Sequence, residues 1–181
     1  MSLIALEGIT KSYALFFNDI TGLKKQQQEL EYVAHYDVLT DLPNRSLFRD
    51  RLQKAIASTA REQKLLAVAF LDLDGFKEVN DKHGHTVGDQ LLVGLAAKMQ
   101  QALRAGDSIA RLGGDEFVAV LHDLTAVDDC VPMLERLLSA ASIPVALGDL
   151  TLQVSASLGV TFYPQAEEVD ADHIVIRNDD N

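Results

Sequence analysis

The densest chemical signal in this chain is Arg111-Leu-Gly-Gly-Asp-Glu-Phe117, where two carboxylates follow directly on two glycines. A second acidic set, Asp72-Leu-Asp74, closes the apolar run Leu65-Leu-Ala-Val-Ala-Phe-Leu71. If the two segments lie side by side, Asp72, Asp115 and Glu116 converge. Three hard oxygen donors, completed by water or a backbone carbonyl, suit Mg²⁺. Two such ions would stabilise the attacking and leaving oxygens of an in-line displacement at phosphorus. Gly113 and Gly114 carry no side chain to keep a phosphate-bearing ligand off the backbone. The chemistry indicated is nucleotidyl transfer or hydrolysis; the bland alternative is that acids after a strand merely solvate a loop. Asp72-Leu-Asp-Gly75 also opens like an EF-hand loop, but Lys77 stands where that loop needs glycine and His83 where it needs glutamate.

These residues need elements to hold them. Ser108–Leu112 and Phe117–Leu121 are rich in β-formers and bounded by turn residues, so they read as two strands. Gly113-Gly114 between them predicts a type I′ turn, which requires positive φ at both central positions. The run Leu65–Leu71 predicts a strand buried on both faces. Arg45–Gln63 has helical periodicity with Leu47, Phe48, Leu52, Ile56 and Thr59 inward. Gly88–Leu103 repeats that pattern with Leu91, Leu92, Leu95 and Met99 inward, and Val127–Ala141 is a further amphipathic helix. Leu150–Ala156 alternates, and Leu158–Tyr163 continues as a strand until Pro164. Strand, helix, hairpin, helix, strands predicts an α+β domain with a mixed sheet and helices packed on it.

Upstream, Tyr13–Phe17 reads as a strand. Lys24–His35 reads as a polar helix with a narrow stripe of Leu23, Leu30 and Ala34. That helix is either a solvated surface helix or a linker that pairs with a second copy of itself. Asp37-Val-Leu-Thr-Asp-Leu-Pro-Asn44 is turn-rich and separates this arm from the rest. The tail from Glu167 to Asn181 is acidic, with a helix start expected at Asp170.

Bulk properties narrow the class. With 181 residues and 48% hydrophobic content, the chain holds one full core plus a short extra segment. A net charge of −11 argues against non-specific binding to nucleic acid, but not against nucleotides met through a cation. The single cysteine, Cys130, forms no internal disulfide and points to a reducing compartment. No apolar run reaches membrane-spanning length and no signal peptide is visible, so a cytoplasmic location is expected.

Gly113-Gly-Asp-Glu-Phe117 resembles the signature of GGDEF domains, the diguanylate cyclases that make cyclic di-GMP from GTP. Asp37-Val-Leu-Thr-Asp-Leu-Pro-Asn-Arg45 resembles that family's opening motif, and Phe70–Asp81 its metal and substrate segment. Gly84-His-Thr-Val-Gly-Asp89 and Val154-Ser-Ala-Ser-Leu-Gly159 match in order and spacing. The likeness covers Asp37 to about Asp172. It implies a fold like the adenylyl cyclase catalytic domain and the polymerase palm, a five-stranded sheet wrapped by helices.

Carried over position by position, the resemblance implies that Asp72, Asp115, Glu116 and the carbonyl of Leu73 hold Mg²⁺ or Mn²⁺. Asp115 also deprotonates the attacking 3′-hydroxyl, and Lys77 stabilises charge on the phosphates. Asn80 and Asp89 read guanine, Asp89 accepting from both N1–H and the exocyclic amine. His85 and Phe76 line the same pocket, His85 alternatively being a packing residue at a helix start. Gly113 and Gly114 leave room for the triphosphate. One domain binds one GTP, so catalysis implies a homodimer. Arg104-Ala-Gly-Asp107 has the form of the family's inhibitory site for cyclic di-GMP, which Arg111 either joins or leaves as an outward strand residue. Asn18-Asp-Ile-Thr-Gly22 and the helix after it resemble the end of a PAS sensor domain and its linker. The resemblance therefore divides the chain into residues 1–36, a sensor remnant and linker, and 37–181, a GGDEF domain. The family's tail supplies a lysine and an arginine to the terminal phosphates of GTP. Here Asp170–Arg177 starts like that helix and runs into Asn178-Asp-Asp-Asn181, so weaker GTP binding is expected. The alternative function is a cyclic di-GMP or GTP-binding module that no longer turns over.

Overall fold

The computed structural model describes residues 2–5 and 14–17 by their backbone and residues 21–164 in full. The chain divides into two compact units, residues 1–34 and 35–181. In the first, β1 (Ser2–Ala5) pairs antiparallel with β2 (Ala14–Phe17), and α1 (Thr21–His35) follows. No residue of α1 is buried, and Leu23 and Leu30 of its stripe are 68% and 73% exposed. The readings made for Glu167–Asn181, including a helix from Asp170, lie outside the described residues.

The second unit starts at a loop closed on itself. Asp37 N–H donates to the carbonyl of Leu42 (2.8 Å), and Asn44 N–H to that of His35 (2.9 Å). Asn44 then caps α2 (Arg45–Glu62), its side chain accepting from Leu47 N–H. Gln63 ends the helix in the left-handed region, φ 54°. Next come β3 (Leu65–Asp74), α3 (Phe76–His83), α4 (His85–Ala102), β4 (Ser108–Gly113) and β5 (Glu116–Leu124). A single 3₁₀ turn (Val127–Cys130) leads into α5 (Val131–Ala141), then the small hairpin β6 (Val145–Leu147) and β7 (Leu150–Leu152), then β8 (Ser155–Tyr163).

The main sheet corrects one expectation. The α+β class holds, but the sheet has four strands among the described residues, in the order β4-β5-β3-β8, and every neighbouring pair is antiparallel rather than mixed. The reason is topological. The helices α3–α4 and α5 each carry the chain over one strand to a parallel one, and the strand skipped runs the other way. The result is the split β-α-β-β-α-β arrangement with β3 at its centre.

Helices cover both faces, which explains the continuous apolar run of β3. Phe48, Leu52 and Ala55 of α2 pack on Leu66, Val68, Val118 and Val120. On the opposite face Leu91, Leu92, Leu95 and Met99 of α4, with Leu137 of α5, pack on Ala69, Leu71, Phe117 and Ala119. Side chains alternate along a strand, so Asp72 and Asp74 continue the α2-facing row of β3. Both are exposed there, at the end where apolar cover gives out.

Candidate active site

The glycine–carboxylate turn sits at the tip of the β4–β5 hairpin. Gly113 is paired with Glu116, so the two loop residues are Gly114 and Asp115. This corrects the expected Gly113-Gly114 type I′ turn. A register irregularity between Arg111 and Gly113 moves the turn on by one residue. Gly113 and Gly114 have φ of 149° and 52°, whereas Asp115 lies outside the left-handed region. Both glycines are thus required by the backbone, and Asp115 is presented at the apex.

Arg111 holds that apex in place. Its Nε and Nη2 donate to the carbonyl oxygen of Gly114 at 2.9 and 2.6 Å, and its Nη1 donates to Asp37 Oδ1 at 2.9 Å. Its own N–H donates to the carbonyl of Pro43. The Arg111 side chain is only 10% exposed, so the expectation of an outward strand residue, or of a partner for Arg104, is corrected. Asp37 also accepts from Thr40 N–H and from its hydroxyl at 2.9 and 2.6 Å. Burial alone would raise the Asp37 carboxyl. The bonds from Thr40 and Arg111, with the Arg111 charge, outweigh it and hold the group below the ordinary carboxylate value. The loop that precedes α2 is thereby tied to the turn that carries Asp115.

Carboxylates on β3 and at the β4–β5 turn come near one another. Asp72 is directly opposite Glu116 across the β3–β5 ladder, so their Cβ atoms share one face. The Asp72 carboxyl is pushed up, first by burial, then by the charges of Asp115 and Asp74. Asp74 is held by the hydroxyls of Ser155 (2.7 Å) and Ser157 (2.8 Å) on β8, which lower it. Among the described residues no three acids gather tightly enough to form a metal cage. The expected set of Asp72, Asp115 and Glu116 is therefore not closed as a triad; Asp72 and Asp115 are the pair that interacts. That still fits Mg²⁺, which takes one or two carboxylates and fills its shell with water and substrate phosphates. Residues able to hold it are Asp72, Asp115 and the Leu73 carbonyl. Glu116 stands beside them on β5, opposite Asp72.

The residues expected to read guanine flank a glycine that joins two helices. Gly84, with φ 84°, ends α3 and opens α4, and its N–H donates to the Asn80 carbonyl at 2.8 Å. Asn80 lies on Gly88. A Cβ at Gly88 would stand 2.0 Å from Asn80 Oδ1 and 3.3 Å from Phe76 Cζ. Asn80, buried Phe76 and the helix turn bearing Asp89 thus meet at one place, with Asp89 exposed beside it. His85 is the exposed first residue of α4. Lys77 is exposed in the first turn of α3 and makes no ion pair among the described residues.

Arg104 and Asp107 are joined to each other and to β5. Arg104 Nε donates to Asp107 Oδ1 at 3.2 Å, and its Nη2 donates to the His122 carbonyl. Asp107 Oδ1 also accepts His122 N–H at 3.1 Å. Burial chiefly lowers the His122 imidazole, helped by the Arg104 charge and opposed by Asp107 and Asp123. A separate, larger cleft of about 600 Å³ runs between α3 and the β7–β8 link, past Asp74, Lys82 and His83. It contains none of the predicted substrate residues, and the carboxylate geometry, not cleft size, identifies the site.

Sequence reasoning missed three things. The helix α3 has only 8 residues between two glycines, too short for a periodic signal. The serines that hold Asp74 gave no pattern. The Arg111–Asp37 link spans 74 residues, and an arginine in a strand looks outward by default.

The α+β sheet places paired acids at the end of its central strand and at the adjoining glycine turn. The chain belongs to the GGDEF family: the family model described as diguanylate cyclase, GGDEF domain, matches residues 34–181. It is 44% identical over 144 residues to the bifunctional diguanylate cyclase/cyclic di-GMP phosphodiesterase MucR of Pseudomonas aeruginosa, covering 80% of this chain and 21% of that protein. It is 37% identical over 150 residues to the diguanylate cyclase TpbB of the same species, covering 82% and 34%. The chain thus spans about a fifth and about a third of the length of these relatives. A sensory box/GGDEF family protein from Caulobacter crescentus superposes with a TM-score of 0.74 at 39% identity, over 81% of this chain and 94% of that one. No helix among the described residues is long and apolar enough to cross a membrane.

Proposed function

We propose that this chain is the cyclase domain of a signalling protein and condenses two GTP into cyclic di-GMP with release of two pyrophosphates. The observation that carries the reading is the convergence of Asp72 and Asp115 beside the Gly113–Gly114 turn, with Asn80, Phe76 and Asp89 grouped at the α3–α4 junction. Two like charges that raise one carboxyl are an arrangement a cation–phosphate complex relieves. Asp89 and Asn80 hold the guanine edge, and the bare glycines let the triphosphate lie over the hairpin. A divalent cation, when bound, neutralises phosphate charge and activates the α-phosphorus. Asp115 takes the proton of the 3′-hydroxyl that attacks the facing GTP. The new bond joins that oxygen to the α-phosphorus, and the bond to the bridging oxygen of pyrophosphate breaks. Lys77 offsets charge on the phosphates. The same step in the opposite direction closes the ring, which requires two domains in a homodimer, each bringing one GTP.

Cyclic di-GMP would feed back on Arg104 and Asp107. Residues 1–36 would be the last strands of a PAS-type sensor and its linker helix, and the exposed Leu23 and Leu30 would pair two copies. Since GTP is the substrate, the domain would work in the cytoplasm. A second reading is a cyclic di-GMP or GTP-binding module without turnover, which would use the same Asn80, Asp89 and Arg104–Asp107 residues. Incubation with GTP and Mg²⁺, followed by chromatography of the products, separates the two. Cyclic di-GMP formation supports the enzyme; tight cyclic di-GMP binding lost in Arg104→Ala, with GTP unconsumed, supports the module.

A further inference from the structure

The two aspartates that end β3 meet different partners. Asp72 and Asp74, two residues apart, share a face of the strand. Across the β3–β8 ladder Asp72 stands opposite Ser157 and Asp74 opposite Ser155. The four side chains therefore lie on one face, and all four residues are exposed. Ser157 has a single hydroxyl proton, and it does not go to the carboxylate directly across from it. It goes diagonally to Asp74 Oδ1 at 2.8 Å, while Ser155 donates to Asp74 Oδ2 at 2.7 Å. Asp74 is thus held from β8 through both oxygens, and neither serine proton reaches Asp72.

The chain needs an anchor at this point. Gly75 follows with φ 75° and opens α3 with no side-chain cap. The helix has only 8 residues, ends at Gly84 with φ 84°, and buries one side chain, Phe76. A helix so short is marginal by itself, and a permissive glycine at each end leaves its direction to what lies outside it. Asp74 is the last side chain before α3, and it is tied to a neighbouring strand. Hydrogen bonds to an ionised acceptor are also stronger than neutral ones.

We propose that Asp74 is a positioning residue for the GTP site: clamped by Ser155 and Ser157, it fixes where β3 turns into α3, and with it the placement of Lys77 and Asn80. The inference rests on the reading of Asp72 as a cation ligand and of α3 as a nucleotide-contacting helix. Lys77 and Asn80 are three residues apart, on neighbouring turns of one side of α3, so a tilt at the start of the helix moves both. A misplacement of about 1 Å in such groups costs up to roughly a hundredfold in rate. Of the two acids in Asp72-Leu-Asp74, one serves the cation and the other the helix.

The test uses the whole chain and reads equilibrium binding of GTP against ATP, steady-state turnover, and the thermal shift that Mg²⁺ gives without nucleotide. Ser155→Ala with Ser157→Ala should lower kcat/KM for GTP about tenfold and narrow the preference for GTP over ATP, because Asn80 moves. Ser155→Thr with Ser157→Thr keeps both hydroxyls on residues that suit a strand, and should restore both values. Asp74→Asn should weaken GTP binding while keeping the wild-type Mg²⁺ shift, which Asp72→Asn loses. Wild-type GTP affinity and preference in the alanine pair and in Asp74→Asn overturn the positioning role and leave the site standing. A threonine pair as impaired as the alanine pair overturns the hydroxyl clamp. Loss of the Mg²⁺ shift in Asp74→Asn makes Asp74 a cation ligand and overturns the division of the two acids. A wild-type chain that binds neither GTP nor Mg²⁺ overturns the reading of the site, and this inference with it.

Discussion

Replacing Arg111 perturbs the Asp115 turn without touching a carboxylate. Arg111 donates to Asp37 Oδ1 at 2.9 Å and twice to the Gly114 carbonyl, and the two side chains are 10% and 23% exposed. Hydrogen bonds to charged groups contribute about 1.5–3 kcal/mol each, and removing one member of a buried pair costs roughly 3–5 kcal/mol. Asp37 keeps its two bonds from Thr40, and both groups have some solvent. Arg111→Ala should therefore cost about 3 kcal/mol, the low end of that range. At roughly 2–4 °C per kcal/mol for a domain of this size, the melting midpoint should fall by about 6–12 °C. Arg111→Lys retains a charge for Asp37 but loses the fork onto Gly114. It should keep most of the stability and lose kcat more than KM, because the turn carries Asp115. The Asp37 carboxyl lies below its ordinary value in the fold. Its contribution is thus complete above about pH 4 and lost as pH falls through the folded value. Asp37→Asn should flatten the acid limb of the stability curve there. Thermal melts from pH 3 to 7 with steady-state turnover read all three. An Arg111→Ala protein that melts within about 2 °C of wild type and turns over at the same rate would refute the reasoning.

Gly88→Ala puts a Cβ 2.0 Å from Asn80 Oδ1, so Asn80 must move; KM for GTP should rise several-fold with a stability cost of about 1–3 kcal/mol, read by kinetics and melting. Asp72→Asn should melt higher than wild type without metal, because a carboxyl raised in the fold costs stability once ionised above its unfolded value. The same variant should lose the stabilisation that Mg²⁺ gives wild type in a thermal-shift titration; equal Mg²⁺ shifts in both would remove Asp72 from the metal site. Ala at Ser155 and Ser157 together should bring the Asp74 titration, followed by NMR, back toward the ordinary carboxylate range.

Much of the fold was legible because it rests on local pattern. The apolar run of β3, the stripes of α2 and α4 and the glycine turn each announce an element within a dozen residues or so. What was not legible depends on pairing. The antiparallel order β4-β5-β3-β8 follows from strands that skip neighbours, and composition gives no hint of which strand is skipped. The shift of the turn onto Gly114 and Asp115 comes from an irregularity beside Arg111 that no dipeptide preference encodes. For the site, Asp72 and Asp115 could be named because each adjoins a local signal, the apolar run Leu65–Leu71 and the Gly113-Gly114 pair. Arg111 could not be assigned, since its partners Asp37 and Gly114 lie on separate segments joined only by the fold.

The central claim is that two copies of this domain join two GTP molecules. Its most direct test is product stoichiometry as a function of protein concentration, with GTP and Mg²⁺ in excess. The account predicts cyclic di-GMP and pyrophosphate in a ratio of one to two, a rate per chain that rises with protein concentration, and complete loss in Asp115→Asn. GTP that binds at Asn80 and Asp89 yet is never joined to a second GTP, at any protein concentration, would contradict it.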